Sequence, residues 1–175
     1  MTTFRLLIRP ARPDDAPRLI EFNQRLARET EGLELDPHVL AGGVAAALSD
    51  PDRLRYIVAE LDGAVVGQTA VTREWSDWRG GWFWWLQSVY VLPEARRHGV
   101  FRHLHLAVRE AARSHPDVVG LRLYVERYNQ TARTAYERLG LSDGGYLVME
   151  EVWANRPGRA ACDFDESSGA IDHRS

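Results

Sequence analysis

The stretch WFWWLQSVYVLPEARRHGVF, Trp82 to Phe101, decides how the rest of the chain must be arranged. Its first half, Trp82 to Leu92, is apolar at odd and even positions alike, the pattern of a strand covered on both faces. Pro93 ends that strand, and Gly99 precedes a helix running to about Ser114 with Leu104, Val108 and Ala111 at core spacing. Val119 to Val125 reads as the next strand. Two strands joined by a single helix of this length are parallel, with a right-handed crossover.

Upstream the strands connect differently. Leu54–Leu61 and Ala64–Glu74 are separated only by Asp62-Gly63, a pair that accepts the two positive φ angles of a type I′ hairpin turn. They are therefore antiparallel, and the polar turn Ser76 to Gly81 leads on to Trp82. Arg5 to Arg9 alternates as a short first strand, and Pro13, Asp14 and Asp15 supply the first turn of a helix with Leu19, Phe22 and Leu26 on one face. Asp36, an N-cap followed by Pro37, starts a second helix carrying Leu40, Val44, Ala47 and Leu48, which Asp50-Pro51 stops. Asn129 or Thr131 caps a last helix with Ala132, Ala135, Tyr136 and Leu139, and Gly140 ends it as a left-handed residue. Tyr146 to Trp153 then alternates as a closing strand.

The expected fold is thus α/β with a mixed, mostly antiparallel sheet, one parallel pair, and helices on both faces. Residues 1–153 form this single domain, and 154–175, polar and aperiodic, are expected to be a mobile tail.

A chain of 175 residues, 45% of them apolar, is long enough to close one core. Its 22 basic residues are all arginine and are outnumbered by 25 acidic ones, so the net charge of −3 provides no basic field for nucleic acid. Cys162 is the single cysteine, which excludes an internal disulfide and a cysteine-based metal site. The N-terminal apolar run is too short for a signal peptide, and no stretch approaches the ~20 apolar residues of a membrane span. These features predict a cytoplasmic protein without membrane or nucleic-acid partners.

The chemistry begins at Arg96-Arg97-His98-Gly99-Val100-Phe101, between the carboxyl end of a parallel strand and a helix start, where open sheets place ligands. Helix starts offer unpaired N–H groups and a partial positive charge, so this turn suits a diphosphate; Gly99 removes a side chain from its approach and the two arginines add charge. On its own, R-x-x-G equally describes an ordinary strand-to-helix turn. A second motif follows the strand LRLYV: Asn129, Ala132, Tyr136 and Gly140, reading N-x-x-A-x-x-x-Y-x-x-x-G.

With both motifs in this element order, the chain from about Arg5 to Trp153 resembles the GNAT superfamily of N-acetyltransferases. The usual diphosphate motif there, Q/R-x-x-G-x-G/A, is matched by Arg96 and Gly99, and the V-x-P strand end before it by Val91 and Pro93. The resemblance implies acetyl-CoA as co-substrate. By similarity, the backbone of Val89, Tyr90 and Val91 would pair with the pantetheine arm, one of its N–H groups polarising the thioester carbonyl. Arg96, Arg97, His98, Gly99, Val100 and Phe101 would hold the diphosphate, Asn129 would contact the cofactor arm, and Tyr136 would protonate the leaving thiolate. Phe101 departs from the family, which usually has Gly or Ala there. Only about a dozen residues separate Gly140 from the end of the predicted fold at Trp153, so the closing strand is expected to be single or completed by a partner subunit in a homodimer.

The acceptor side is less legible. The residues offer no evident base: Gln87 and Ser88 lie on the central strand, and the carboxylates to consider are Glu74, at the end of its neighbour, and Glu31 and Glu34 before the second helix. Trp75, Trp78, Trp82, Trp84 and Trp85 could line a pocket for a cationic amine, although strand alternation sends some of them into the core. Glu74 and Trp75 are the substrate-side candidates. His103 and His105 do not share a helix face, so no metal is expected. The resulting expectation is direct transfer of acetyl from acetyl-CoA to a primary amine, on a small molecule, in a ternary complex. The alternatives are a non-catalytic acyl-CoA-binding sensor or interaction module and an acetyltransferase of protein amines.

Overall fold

The computed structural model describes residues 5–153. The chain runs β1 (Leu6–Pro10), α1 (Ala16–Glu31), α2 (Pro37–Ser49), β2 (Arg55–Leu61), β3 (Ala64–Ser76), β4 (Gly81–Val91), α3 (Val100–Ser114), β5 (Val118–Leu123) and α4 (Gln130–Arg138). The five strands form one sheet in sequence order. All neighbours are antiparallel except β4 and β5, which are parallel, as a helical crossover demands. Asp62 and Gly63 take φ angles of 51° and 87°, the turn expected between β2 and β3.

The helices divide between the two faces. Leu19 of α1 and Val44 and Ala47 of α2 pack on Tyr56, Val58 and Ala70, while Val108 and Ala112 of α3 pack on Val71, Trp84 and Leu86. Toward the end of β4, Phe22 of α1 and Val100 and Leu104 of α3 join one cluster with Tyr90 and Val91. β4 is therefore covered from both sides along this part, which is why its sequence does not alternate.

The entry to α1 is fixed by charge. Asp15 receives Arg9 Nη1 at 2.7 Å and Nη2 at 3.0 Å, and the Arg12 N–H at 2.6 Å. Arg9 reaches Glu60 on β2 with its Nε at 2.8 Å. This ties the β1–α1 junction to the sheet, and Pro13–Asp15 forms a separate 3-10 turn ahead of α1. Asp36 caps α2 as expected, accepting the N–H groups of His38 and Val39.

Three expectations are corrected. Ala112, not Ala111, is the buried residue one turn beyond Val108, because the core row on α3 runs 100, 104, 108, 112. β5 ends at Leu123 rather than Val125, where its pairing with β4 stops. Tyr146 to Trp153 forms no strand: it pairs with nothing among the described residues, and Tyr146, Leu147 and Met149 are exposed. Alternation alone cannot make a strand without an edge to pair with. The tail from 154 and Cys162 lie outside the described residues.

Gly81 begins β4 where there is no room for a side chain. A Cβ there would sit 2.7 Å from the Asp117 carbonyl oxygen and 2.4 Å from a Val119 methyl group. Gly81→Ala is expected to cost about 1–3 kcal/mol by overpacking the start of the parallel pair; a denaturant midpoint equal to that of the unsubstituted chain would contradict this.

Candidate active site

Two interruptions of β4 create the site. The last β4–β5 pair is Leu86 with Leu123, so from Gln87 to Val91 the edge of β4 facing away from β3 has no strand partner. Within the same stretch the β3 register shifts: Gln68 pairs with Tyr90 but Ala70 with Gln87, placing Ser88 and Val89 opposite Thr69 alone. This is a β-bulge, and Ser88 sits in the left-handed region at φ 49°. The parallel strands thus splay apart at the carboxyl ends from which α3 and α4 start.

The geometry of the next turn suits an anion. Arg97 and Gly99 are both left-handed, at φ 68° and 74°, and Gly99 is the N-cap of α3. Turns of this kind gather main-chain N–H groups on one side, and the helix start adds its own. His103 braces the turn, its Nδ1 lying 2.9 Å from the Gly99 carbonyl oxygen. His105 is buried instead, so the two histidines face different surroundings.

The two arginines differ in role. Arg96 Nε donates to the Val91 carbonyl at 2.9 Å and Arg96 Nη2 to Glu29 Oε2 at 2.6 Å, while Tyr90 donates its hydroxyl to Glu29 Oε1 at 2.7 Å. Burial opposes ionisation of Glu29, but the Tyr90 hydroxyl and Arg96 guanidinium outweigh it and keep the carboxyl below its usual range. Arg96 is thus a strut between α1 and the end of β4. Arg97, exposed at the crest of the turn, makes no such hydrogen bond or ion pair among the described residues.

Tyr136 lies on α4, half-buried, its ring meeting Phe101 of α3 edge-on at 5.4 Å and 73°. Phe101, atypical for its position, therefore forms the contact between α3 and α4, and its main-chain N–H remains in the first turn. Burial pushes the Tyr136 hydroxyl up from its ordinary value, so it holds its proton at neutral pH. Asn129 caps α4, its Oδ1 accepting the Ala132 N–H at 3.0 Å, which leaves its Nδ2 to face other groups.

Glu74 and Trp75 are not brought to this place. Glu74 pairs with Phe83, five residues before Ser88, about 17 Å away along the strand. Its carboxylate accepts Arg122 Nη1 at 3.0 and 3.2 Å and the Trp85 indole N–H. Trp75 stacks edge-on against Trp82, and Trp84 is core. Sequence reading missed Asn23, Tyr56, Gln68 and Glu29. The available signal was a polar amide inside an apolar pattern: Asn23 four residues after Leu19 on the buried face of α1, and Gln68 within VVGQTAV of β3. Among the described residues there is no group of three or more His, Cys, Asp or Glu side chains that could share a metal ion, and no helix is long and apolar enough to cross a membrane.

Residues 17–141 match the sequence pattern of the acetyltransferase (GNAT) family. The chain belongs to the GNAT acetyltransferases. A possible acetyltransferase from Clostridium difficile 630 is 43% identical to it, with a TM-score of 0.79 over 85% of this chain and 97% of that one. An aminoglycoside N-acetyltransferase, AAC(6')-Iy, in complex with CoA shares the GNAT fold at 16% identity, TM-score 0.69, over 86% of this chain and 97% of the other. A Trypanosoma brucei acetyltransferase does so at 20% identity, TM-score 0.65, over 85% and 100%. No curated protein sequence matches this GNAT chain.

Proposed function

We propose that this GNAT protein transfers the acetyl group of acetyl-CoA directly to a primary amine of a small molecule, in a ternary complex. The observation that carries the reading is convergence at one end of the sheet: the unpaired, bulged edge of β4, the left-handed turn at the start of α3, and the protonated hydroxyl of Tyr136. In this reading the pantetheine arm lies along the open edge of β4 and the diphosphate on the Arg97–Gly99 turn. The amine nitrogen adds its lone pair to the thioester carbonyl carbon, a main-chain N–H of β4 stabilises the oxyanion, and the C–S bond breaks. The sulfur leaves with the bonding electron pair and takes the Tyr136 proton, while the former amine gives its extra proton to water. Glu74, about 17 Å along β4 and engaged by Arg122, is too distant to take that proton itself.

Thiol release from acetyl-CoA, followed across a panel of small primary amines, tests the proposal. Turnover that depends on the amine supports it; CoA binding without turnover on any amine points to a silent binding module, and turnover on peptide amines alone to a protein acetyltransferase.

The different settings of the arginines give a sharper test of the grip. Arg97→Gln is expected to weaken CoA about tenfold, the scale of one charge-assisted contact, and to leave a dephosphorylated pantetheine analogue unaffected. Arg96→Gln should weaken both ligands, because it also releases Val91 and Glu29. Calorimetric titrations that show equal losses of both ligands for Arg97→Gln would remove Arg97 from the diphosphate site.

A further inference from the structure

Residues distant in sequence meet at the bulge. Gln68 of β3 is completely buried. Its Nε2 donates to the Ser88 carbonyl oxygen at 3.1 Å and to Asn23 Oδ1 at 3.2 Å. Asn23, on α1, is itself oriented: its Nδ2 donates to the Leu19 carbonyl at 2.9 Å and to the Tyr56 hydroxyl at 3.1 Å. That leaves the Asn23 oxygen to accept, and so fixes Gln68 as well. Reversing the Gln68 amide would turn its oxygen toward two other oxygens.

This orientation leaves Gln68 Oε1 buried without a partner. An orphaned acceptor in a core is destabilising, and a methionine would fill the same space without that one, though also without the donor that Asn23 Oδ1 and the Ser88 carbonyl share. Packing therefore does not account for a glutamine here. The bond to Ser88 does. Ser88 is a residue with a Cβ held at φ 49°, a conformation that persists only where its surroundings enforce it. Its carbonyl and the Val89 N–H belong to one peptide unit, which is trans, so they point in opposite directions. Drawing the carbonyl toward Gln68 turns the Val89 N–H away from that amide, and on its other side β4 has no strand partner beyond Leu86.

We infer that Gln68 is a positioning residue of the transfer: its amide, oriented by Asn23, holds the Ser88 carbonyl and thereby aims the Val89 N–H at the thioester carbonyl oxygen. The inference rests on the acetyl-transfer reading above, and it selects one donor among Val89, Tyr90 and Val91.

Gln68→Met in the full chain tests it. The kcat for the best amine is expected to fall about tenfold, less than the loss of a whole oxyanion donor, with CoA affinity held within about twofold; melting temperature should fall modestly, since methionine removes the orphaned Oε1 but leaves Asn23 Oδ1 and the Ser88 carbonyl without their donor. Ser88→Gly in the Gln68→Met background should recover about threefold in kcat, because glycine adopts positive φ without being held. Asn23→Leu, which leaves Gln68 in place but unoriented, should reproduce the kcat loss in weaker form, and serves if Gln68→Met does not fold. In 15N-labelled protein, acetyl-CoA should move the Val89 amide proton downfield relative to CoA, and Gln68→Met should abolish that shift. A wild type that shows the shift but turns over no amine leaves the positioning intact and removes the catalytic reading. An unchanged kcat and an unchanged Val89 shift in a folded variant overturn the inference, as does a kcat loss matched by an equal loss of CoA affinity.

Discussion

Tyr136→Phe is expected to lower kcat about 100-fold or more, the contribution of a positioned general acid, while CoA affinity changes by less than about twofold. The ring contact with Phe101 does not involve the hydroxyl, so phenylalanine keeps the packing between α3 and α4 and removes only the proton. The sign of the pH dependence follows from the raised hydroxyl. Burial disfavours the phenolate, so Tyr136 stays protonated through neutrality and loses its proton only above the ordinary tyrosine value near 10. On the acid side the rate rises with pH as the amine acceptor deprotonates, in wild type and variant alike. On the alkaline side the wild-type rate falls as Tyr136 ionises, and the variant should lack that limb. A variant with unchanged kcat, or one that keeps the alkaline limb, would show that the sulfur takes its proton from elsewhere.

What the chain discloses in one dimension is what local sequence determines. Asp62-Gly63 imposes its turn, Asp36-Pro37 its cap, and the doubly apolar run in β4 its burial, because each depends on neighbours a few residues away. The sequence narrowed the cap of α4 to Asn129 or Thr131, and Asn129 fills it; that Tyr136 meets Phe101 of α3 depends on a distant helix and was not legible. The bulge at Ser88 was not legible: nothing in QSVYV announces a left-handed serine, which is held from β3, 20 residues away, and through Asn23 on α1. Arg96 looked equivalent to Arg97 until Glu29, 67 residues earlier, was found to occupy it. The closing strand failed in the opposite direction. Its alternation was real, but pairing requires a partner edge, which no local pattern supplies.

The largest stability effect is expected at Asp15, remote from the chemistry. Its carboxylate is nearly buried, with side-chain exposure of 9% beside 12% for Arg9, and it also accepts the Arg12 N–H that starts the turn into α1. Asp15→Ala leaves Arg9 in a poorly solvated site with only Glu60 to meet it and should cost about 3–5 kcal/mol, or roughly 10 °C in melting temperature for a domain of this size. The Arg9 bond, with help from the Arg12 N–H, outweighs burial and holds the Asp15 carboxyl below its ordinary range. Its stabilising contribution is thus fully present above the unfolded value near 4 and is lost as pH falls through the lower folded value. The gap between wild type and Asp15→Asn in urea melts should therefore be widest near pH 7 and should narrow in acid. Asparagine keeps the cap oxygen and removes the charge, so it isolates the ion pair from the turn. A gap of the same size at pH 7 and pH 3 would mean that Asp15 acts through its hydrogen bond to the turn and not through Arg9. Because α1 carries Phe22, Asn23 and Glu29 to the end of β4, a loosened junction should also weaken CoA binding before the domain unfolds, in proportion to the stability lost.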